Sequence, residues 1–410
     1  MSFQSLSGFR DFYPEDCAQR DRLFAVWRDC ARRFGFSAYD GPPLETLDLY
    51  KKKSGDEIVK QLYHFVDKGE REVALRPEMT PTLARMAGAA HGKFKKPLKW
   101  YAIPQLFRYE RAQRGRLREH FQWNCDIIGE PGLGAEAELL ALLVQSFREV
   151  GFTSNDIVVR VSDRQFWKDY LAAHQVPDDK HYDFFQAIDK IGRDPDEVIR
   201  TKLGNLADEV FRLIREGGTS PRLEELKSAL EAYGIGDFIQ VDLSIVRGLA
   251  YYTGVVFEAH DRAGQFRAIA GGGRYDDLLK NISGTDLPAL GFGMGDVVMT
   301  EMIKEKGLLK AEPDAKAVYV VIADETVRPA ALRLASQLRA GGYRVDYPLA
   351  ATKVGRQFEA AQDRGASFAL VVDAAGEAAG TVGLKDLATR EQRPVRVEID
   401  GGRATGWRAV

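Results

Sequence analysis

The 410-residue sequence predicts an α+β body, interrupted by a purely helical stretch and followed by a smaller α/β domain. Three observations carry this reading. Runs rich in β-branched and aromatic residues, such as "LKWYAIPQLF", "EHFQWNCDII" and "DIVVRV", are interleaved with periodic apolar–polar segments of helical length. From about residue 165 to 237 the strand-like runs vanish and charged helical patterns replace them. Beyond the polar, proline-containing "KEKGLLKAEPDAKA" (304–317), strands and helices alternate, which describes a compact α/β domain of about 95 residues. The expected boundaries are 1–164 with 238–308 for the body, 165–237 for the insertion and 315–410 for the last domain.

Element by element, residues 16–36 read as an amphipathic helix capped by Asp16, with Leu23, Phe24 and Trp27 on its apolar face and Gly35 ending it. "YDGPPLETLDLY" turns into an extended segment, because consecutive prolines block a helix. "EVALRPEMTPTLARMAG" is a strand running into a helix near Thr80–Pro81, where a first-turn proline is tolerated. Arg76, Glu78 and Thr80 alternate and so share one strand face. "AEAELLALLVQSFREVGF" (135–152) is a strongly periodic helix. Strands return with "IQVDLSIVRGLAYYTGVVFEAH" and "QFRAIAGGGRYDDLL".

Composition excludes several classes. Hydrophobic residues make up 45% and charged ones 29%, ordinary for a globular protein. The net charge of -2 means that any basic surface is local. Cys17, Cys30 and Cys125 are far apart, without zinc-ligand spacing, and a sparse odd count fits a reducing compartment. The start lacks a signal-peptide pattern, and no run approaches the roughly 18 apolar residues of a membrane span. A cytoplasmic protein is expected.

Four stretches stand out chemically. "FRYERAQRGRLREHFQW" (107–123) places Arg108, Arg111, Arg114, Arg116 and Arg118 in and around a loop between two β-rich runs. A solvated hairpin tip would explain the loop charges. Arg108 is different, because it sits in the strand pattern, where a charge needs a partner or a task. The planar guanidinium fork suits phosphate oxygens. In "VRGLAYYTGVVFE", Arg247 follows an apolar strand and precedes two tyrosines; either a carboxylate neutralises it or it serves a ligand. "AIAGGGRYDDLL" holds three glycines before Arg274, read as a bend or as close backbone approach to a nucleotide or sugar. Gln122 and Asp126, four apart on a strand, share a face.

In this order the segments resemble the class II aminoacyl-tRNA synthetases, and within them the histidyl-tRNA synthetase family. The matching stretches are "GFRDFYPED", "FGFSAYDGPPLE" (motif 1), "RPEMTPTLAR", "FRYERAQRGRLREHFQWNCDIIG" (motif 2), "VRGLAYYTGVVFE" with "GGGRYDDLL", "PALGFGMG" (motif 3) and "VGLKDLATREQ". The resemblance implies a catalytic domain on a six-stranded antiparallel sheet of the class II synthetase type and a C-terminal α/β anticodon-binding domain. It implies ATP with Mg2+ bound to it, L-histidine and tRNA(His) as partners, a homodimer formed through motif 1, and no metal held by a protein motif. Arg108 and Arg247 would be catalytic at the α-phosphate. Arg108, Glu110, Arg116, Arg247 and Arg274 would bind ATP. Glu78, Thr80 and Gln122 would take the α-ammonium of histidine, Arg247 its carboxylate, and Asp126 with Tyr251 and Tyr252 the imidazole side. Gln113, Arg114 and Arg118 would meet the acceptor end of the tRNA, and Arg344, Lys353 and Arg356 the anticodon.

The sequence departs from the family pattern after "GFGMG". The family places Glu-Arg there, and its arginine contacts ATP; here Asp296, Val297 and Val298 follow, with Val298 at the arginine position. Arg274 is expected to take over that phosphate contact. Ala250 also replaces a frequent acid. Two other readings therefore stand beside a histidine–tRNA ligase: a histidine-sensing regulatory paralogue of the ATP phosphoribosyltransferase type, and a tRNA-binding pseudoenzyme. The retained Arg108, Arg116 and Arg247 and the full C-terminal domain oppose the regulatory reading.

Overall fold

A computed structural model describes residues 3–54, 56–110, 115–247, 251–310 and 314–410. They divide into two compact units, Met1–Leu309 and Lys310–Val410.

The first unit is built on one large sheet. Six strands run antiparallel to their neighbours in the order Leu98–Ala102, Glu119–Ile128, Ala289–Gly295, Ala270–Arg274, Val255–Asp261 and Ile157–Asp163. These are the six antiparallel strands that the resemblance implies. Three short strands extend the sheet to nine. Ser37–Ala38 and Ile239–Val241 add parallel pairs at the two edges, and Gln105–Phe107 pairs with the start of Glu119–Ile128.

Period-two alternation sorts the sheet into a dry face and a wet one. On Glu119–Ile128, Trp123, Cys125 and Ile127 enter the main core, and on Ala289–Gly295 so do Leu290, Phe292 and Met294. Helices Pro14–Arg33 and Gly134–Val150 cover that face, with Trp27 stacked on Trp123 at 5.8 Å. Pro14 occupies the first turn of its helix, so Asp16 lies inside that turn and is not the cap expected of it. The opposite face carries Gln122, Asn124 and Asp126, and it is left open.

Two further parts frame the open face. A small sheet of Leu44–Thr46, His64–Val66 and Glu72–Leu75 leads into the helix Thr80–Ala90. The helices Arg164–Ala173, Asp178–Asp189, Asp196–Leu203, Ala207–Glu216 and Pro221–Ala232 form the insertion. They share a core of their own around Trp167, Phe184, Ile188 and Val210, and it also takes in Leu243 and Val246.

The second unit has a six-stranded sheet in the order Arg344–Asp346, Ala317–Ile322, Phe368–Val372, Val382–Asp386, Gln392–Asp400 and Arg403–Ala409. The first three are parallel and the rest antiparallel. Helices Arg328–Ala340 and Val354–Asp363 pack on it. Buried Gln357 ties the second helix to the strand Ala317–Ile322, because its amide both donates to the Ile322 carbonyl and accepts from the Ile322 N–H. Among the described residues, no helix is long and apolar enough to cross a membrane.

Candidate active site

The open face of the large sheet holds a cavity of about 400 Å³. Its floor exists because glycine alternates with bulk in "GFGMG". Gly291 and Gly293 point their missing side chains into the cavity, while Leu290, Phe292 and Met294 fill the core behind. A Cβ on Gly291 would fall 1.9 Å from Asp126 Oδ1, and one on Gly293 would fall 2.6 Å from the Gln122 side chain. The neighbouring strand does the same for a cation. A Cβ on Gly271 would lie 1.8 Å from Arg247 Nη1, so the guanidinium rests directly on that glycine. Glycine here clears room for polar side chains that a ligand can meet.

Strand register lays these groups out along the cavity. Asp126 is level with Gly291, Asn124 with Gly293 and Gly271, and Gln122 with Gly295. From Asp126 to Gln122 is about 13 Å at roughly 3.3 Å per residue. Beyond Gly295 the helix Asp296–Lys306 begins, and Val297 and Val298 line the cavity at that end.

Asp126 is 5% exposed, and the Tyr275 hydroxyl donates a hydrogen bond to it. Burial pushes its carboxyl up to about 7, and the bond from Tyr275 works against that. Glu78, Thr80, Tyr251 and Tyr252 also line the cavity. Thr80 is the first residue of its helix, and the strand before it ends at Leu75. Arg76, Glu78 and Thr80 therefore do not share a strand face. Arg76 turns away and donates to Gln105 O, Gly41 O and Asp40.

Arg108 follows the strand Gln105–Phe107; its Nε donates to Pro77 O at 3.0 Å, and its side chain borders the cavity. Arg247 reaches the same cavity from the segment that follows the strand Ile239–Val241. Its Nη1 is 2.6 Å from Glu258, a carboxylate that His260 also contacts at 3.0 Å. Arg247 holds φ at +26°, an arrangement costing about 1–3 kcal/mol that surrounding contacts must impose. The insertion supplies them. Val246 is packed into its core, Trp167 Nε1 donates to Leu243 O, and Arg164 Nη1 donates to Arg247 O at 3.2 Å.

Three expected site residues lie elsewhere, each for a visible reason. Arg274 does not line the cavity. Its guanidinium is clamped on buried Glu136, with Nε 2.6 Å from Oε1 and Nη2 2.7 Å from Oε2, so it is a structural ion pair and not a phosphate ligand. Glu110 sits outside the lining and pairs with Arg116, which does line the cavity. Arg118 also sits outside the lining; it donates to the Glu110 carbonyl and covers the Tyr109 ring at 5.0 Å. Gln113, Arg114 and Ala250 fall outside the described residues. Gly272 and Gly273 approach the Gly291 and Val255 carbonyls, so the glycine triplet serves sheet packing and Arg247 more than direct contact with a nucleotide.

Among the lining residues that escape the sequence reading, beside Asn124 and Tyr275, are His120 and Arg267. His120 is held neutral, pushed down to about 3 by burial and then by Arg108, Arg10 and Arg116. Its place two residues before Gln122 would have revealed it, since alternation puts both on the wet face. Arg267 lies at the Val298 end, and nothing around it in the sequence marks it. Outside the lining, Asp296 is 1% exposed and accepts from Arg10 and from the Phe121 N–H, which locks that helix start to the motif 2 strand.

Comparison with known proteins decides the family. The family profile described as histidyl-tRNA synthetase matches residues 8–295, and that described as anticodon binding domain matches 317–401. The chain belongs to the histidyl-tRNA synthetase family. It is 46% identical to a histidine–tRNA ligase of Opitutus terrae over 419 residues, 96% of each chain. It is 41% identical to a chloroplastic/mitochondrial histidine–tRNA ligase of Arabidopsis thaliana, covering 95% of this chain and 84% of that one. The fold matches the crystal structure of a histidyl-tRNA synthetase from Nostoc sp. PCC 7120 with a TM-score of 0.83 over 97% of both chains, at 23% identity. In this chain Arg108, Arg247 and Asp126 line one cavity, with Val298 at one end of it.

Proposed function

We propose that this chain is a working histidine–tRNA ligase. It activates L-histidine with ATP to histidyl-adenylate and then transfers the histidyl group to the 3' end of tRNA(His). The observation that carries this is the convergence of Arg108, Arg247 and Asp126 on one cavity.

In the first step the histidine carboxylate attacks the α-phosphorus of ATP and pyrophosphate leaves. Two anions must approach, and the Arg108 and Arg247 guanidinium groups, fixed before the substrates arrive, offset the repulsion. Removing either should cost about 3–4 kcal/mol of transition-state stabilisation, by analogy with a single oxyanion donor. Arg116 takes the outer phosphates when it leaves Glu110. Magnesium enters with the triphosphate as part of the substrate. Among the described residues no group of three or more His, Cys, Asp or Glu side chains could hold a metal.

Glu78, Thr80 and Gln122 hold the α-ammonium. Asp126 accepts from an imidazole N–H, and Tyr251 and Tyr252 close the ring pocket. A side chain without a ring N–H would leave Asp126 buried and unpaired, which such sites reject by large factors. In the second step a ribose hydroxyl of the tRNA attacks the adenylate carbonyl carbon and AMP leaves. The hydroxyl proton passes to a phosphate oxygen, so no side-chain base is required.

The C-terminal unit would read the anticodon. Lys353 and Arg356, exposed at the start of Val354–Asp363, are the better contacts there. Arg344 is engaged with the Gly365 carbonyl and Asp314. The acceptor end would meet Gln113, Arg114 and Arg118. Exposed Leu44, Phe65 and Val66 on the small sheet favour a homodimer through the motif 1 region. The protein is proposed to act in the cytoplasm.

The test is histidine-dependent exchange of pyrophosphate into ATP, followed by charging of tRNA(His). Both activities are expected. Histidine binding without exchange would support the regulatory paralogue, and tRNA binding with neither would support the pseudoenzyme.

A further inference from the structure

We infer that Arg267 is the nucleotide-binding cation at the Val298 end of the cavity. It would meet the outer phosphates of ATP from the segment that leads into the strand Ala270–Arg274. This rests on the ligase reading above.

Arg247 lies on Gly271, which is level with Asn124 and so sits midway along the cavity floor. Gly115 marks the end beyond it. A Cβ on Gly115 would lie 3.4 Å from Val298 Cγ2 and 3.9 Å from Arg267 Cδ. Val298, Arg267 and the residue before Arg116 therefore meet at one point of the cavity wall, and all three line it. Val298 offers only methyl groups there, and Arg267 brings the charge. The charge at this end of the cavity thus comes from the segment before Ala270–Arg274 and not from the helix Asp296–Lys306.

A triphosphate carries more negative charge than the two α-phosphate arginines can neutralise, and its tail must extend past them. The Arg267 fork suits two phosphate oxygens at once, where a lysine would act as a point charge. Arg274, clamped on Glu136, is not placed to do this. Arg116 is placed beside it and would add a second cation there once it leaves Glu110.

The test uses the full-length protein in histidine-dependent pyrophosphate exchange. Arg267→Ala should raise the KM for ATP by about tenfold or more, the effect of losing one charge-assisted contact. It should leave the KM for histidine and the melting temperature essentially unchanged. Arg267→Lys should fall between the alanine variant and the wild type. Unchanged ATP affinity in Arg267→Ala, or an equal rise in both KM values, would overturn the assignment. If the wild type itself shows no exchange, the ligase reading fails separately. Calorimetric titration with ATP then tests Arg267 alone, with weaker binding by Arg267→Ala expected and equal binding refuting it.

Discussion

Replacing Gly271 by alanine should cripple the chemistry while sparing the fold. The new Cβ would sit 1.8 Å from Arg247 Nη1 and 2.4 Å from its Cζ. The obstructed group is the far end of a flexible side chain, so it can swing away without moving the sheet. Reaching ordinary contact takes a displacement of more than about 1 Å, and a misplacement of that size can cost about 100-fold in rate. That corresponds to about 2.7 kcal/mol of barrier. The swing also breaks the 2.6 Å pairing with Glu258. The assay is kcat/KM for pyrophosphate exchange, with thermal unfolding measured in parallel. A loss of about 100-fold with little change in melting temperature is expected. Full activity in Gly271→Ala would refute the claim that Arg247 must lie on that glycine. Gly272→Ala is the contrast. Its Cβ would meet Gly291 O at 2.2 Å and Phe292 Cα at 2.7 Å, both backbone, so unfolding should become easier by roughly 1–3 kcal/mol.

Glu136→Ala should destabilise the protein by about 3 kcal/mol in chemical denaturation, because it leaves the buried Arg274 guanidinium with Asp276 as its remaining carboxylate partner. Asp126→Asn should abolish histidine activation and yet stabilise the free protein at alkaline pH. The folded carboxyl is raised from 3.8 to about 7, so its protonated form is favoured by folding. That advantage is full below about pH 4 and is lost as pH rises through about 7, so the stability gap between the variant and the wild type should widen across this window. A gap independent of pH would contradict the assignment. Gln357→Ala should cost about 1–3 kcal/mol in unfolding experiments, by leaving the buried Ile322 amide groups unpaired.

Much of the site is legible in the sequence because strands announce their faces. Spacing alone places Gln122 and Asp126 on one face, and the same alternation explains "GFGMG" as a floor of glycines. Arg108 stands out because a charge in a strand pattern needs a task. What escapes depends on contacts between distant segments. Arg274 and Glu136 are 138 residues apart, and nothing in either stretch shows that one clamps the other. Arg76, Glu78 and Thr80 look like a strand face because the alternation continues in the sequence, whereas Pro77 and Pro81 flank the turn into the helix. Arg267 looks like any loop arginine until the sheet brings Gly115 and Val298 beside it. The insertion reads as an independent helical segment. Its hold on Arg247, through Val246 and Arg164, emerges only in three dimensions.

The most direct measurement is a crystal structure with a non-hydrolysable sulfamoyl analogue of histidyl-adenylate. The account predicts guanidinium nitrogens of both Arg108 and Arg247 within about 3 Å of the oxygens that replace the α-phosphate, and an imidazole nitrogen on Asp126. An analogue bound with its sulfamoyl group away from either arginine, or with its ring turned from Asp126, would contradict it.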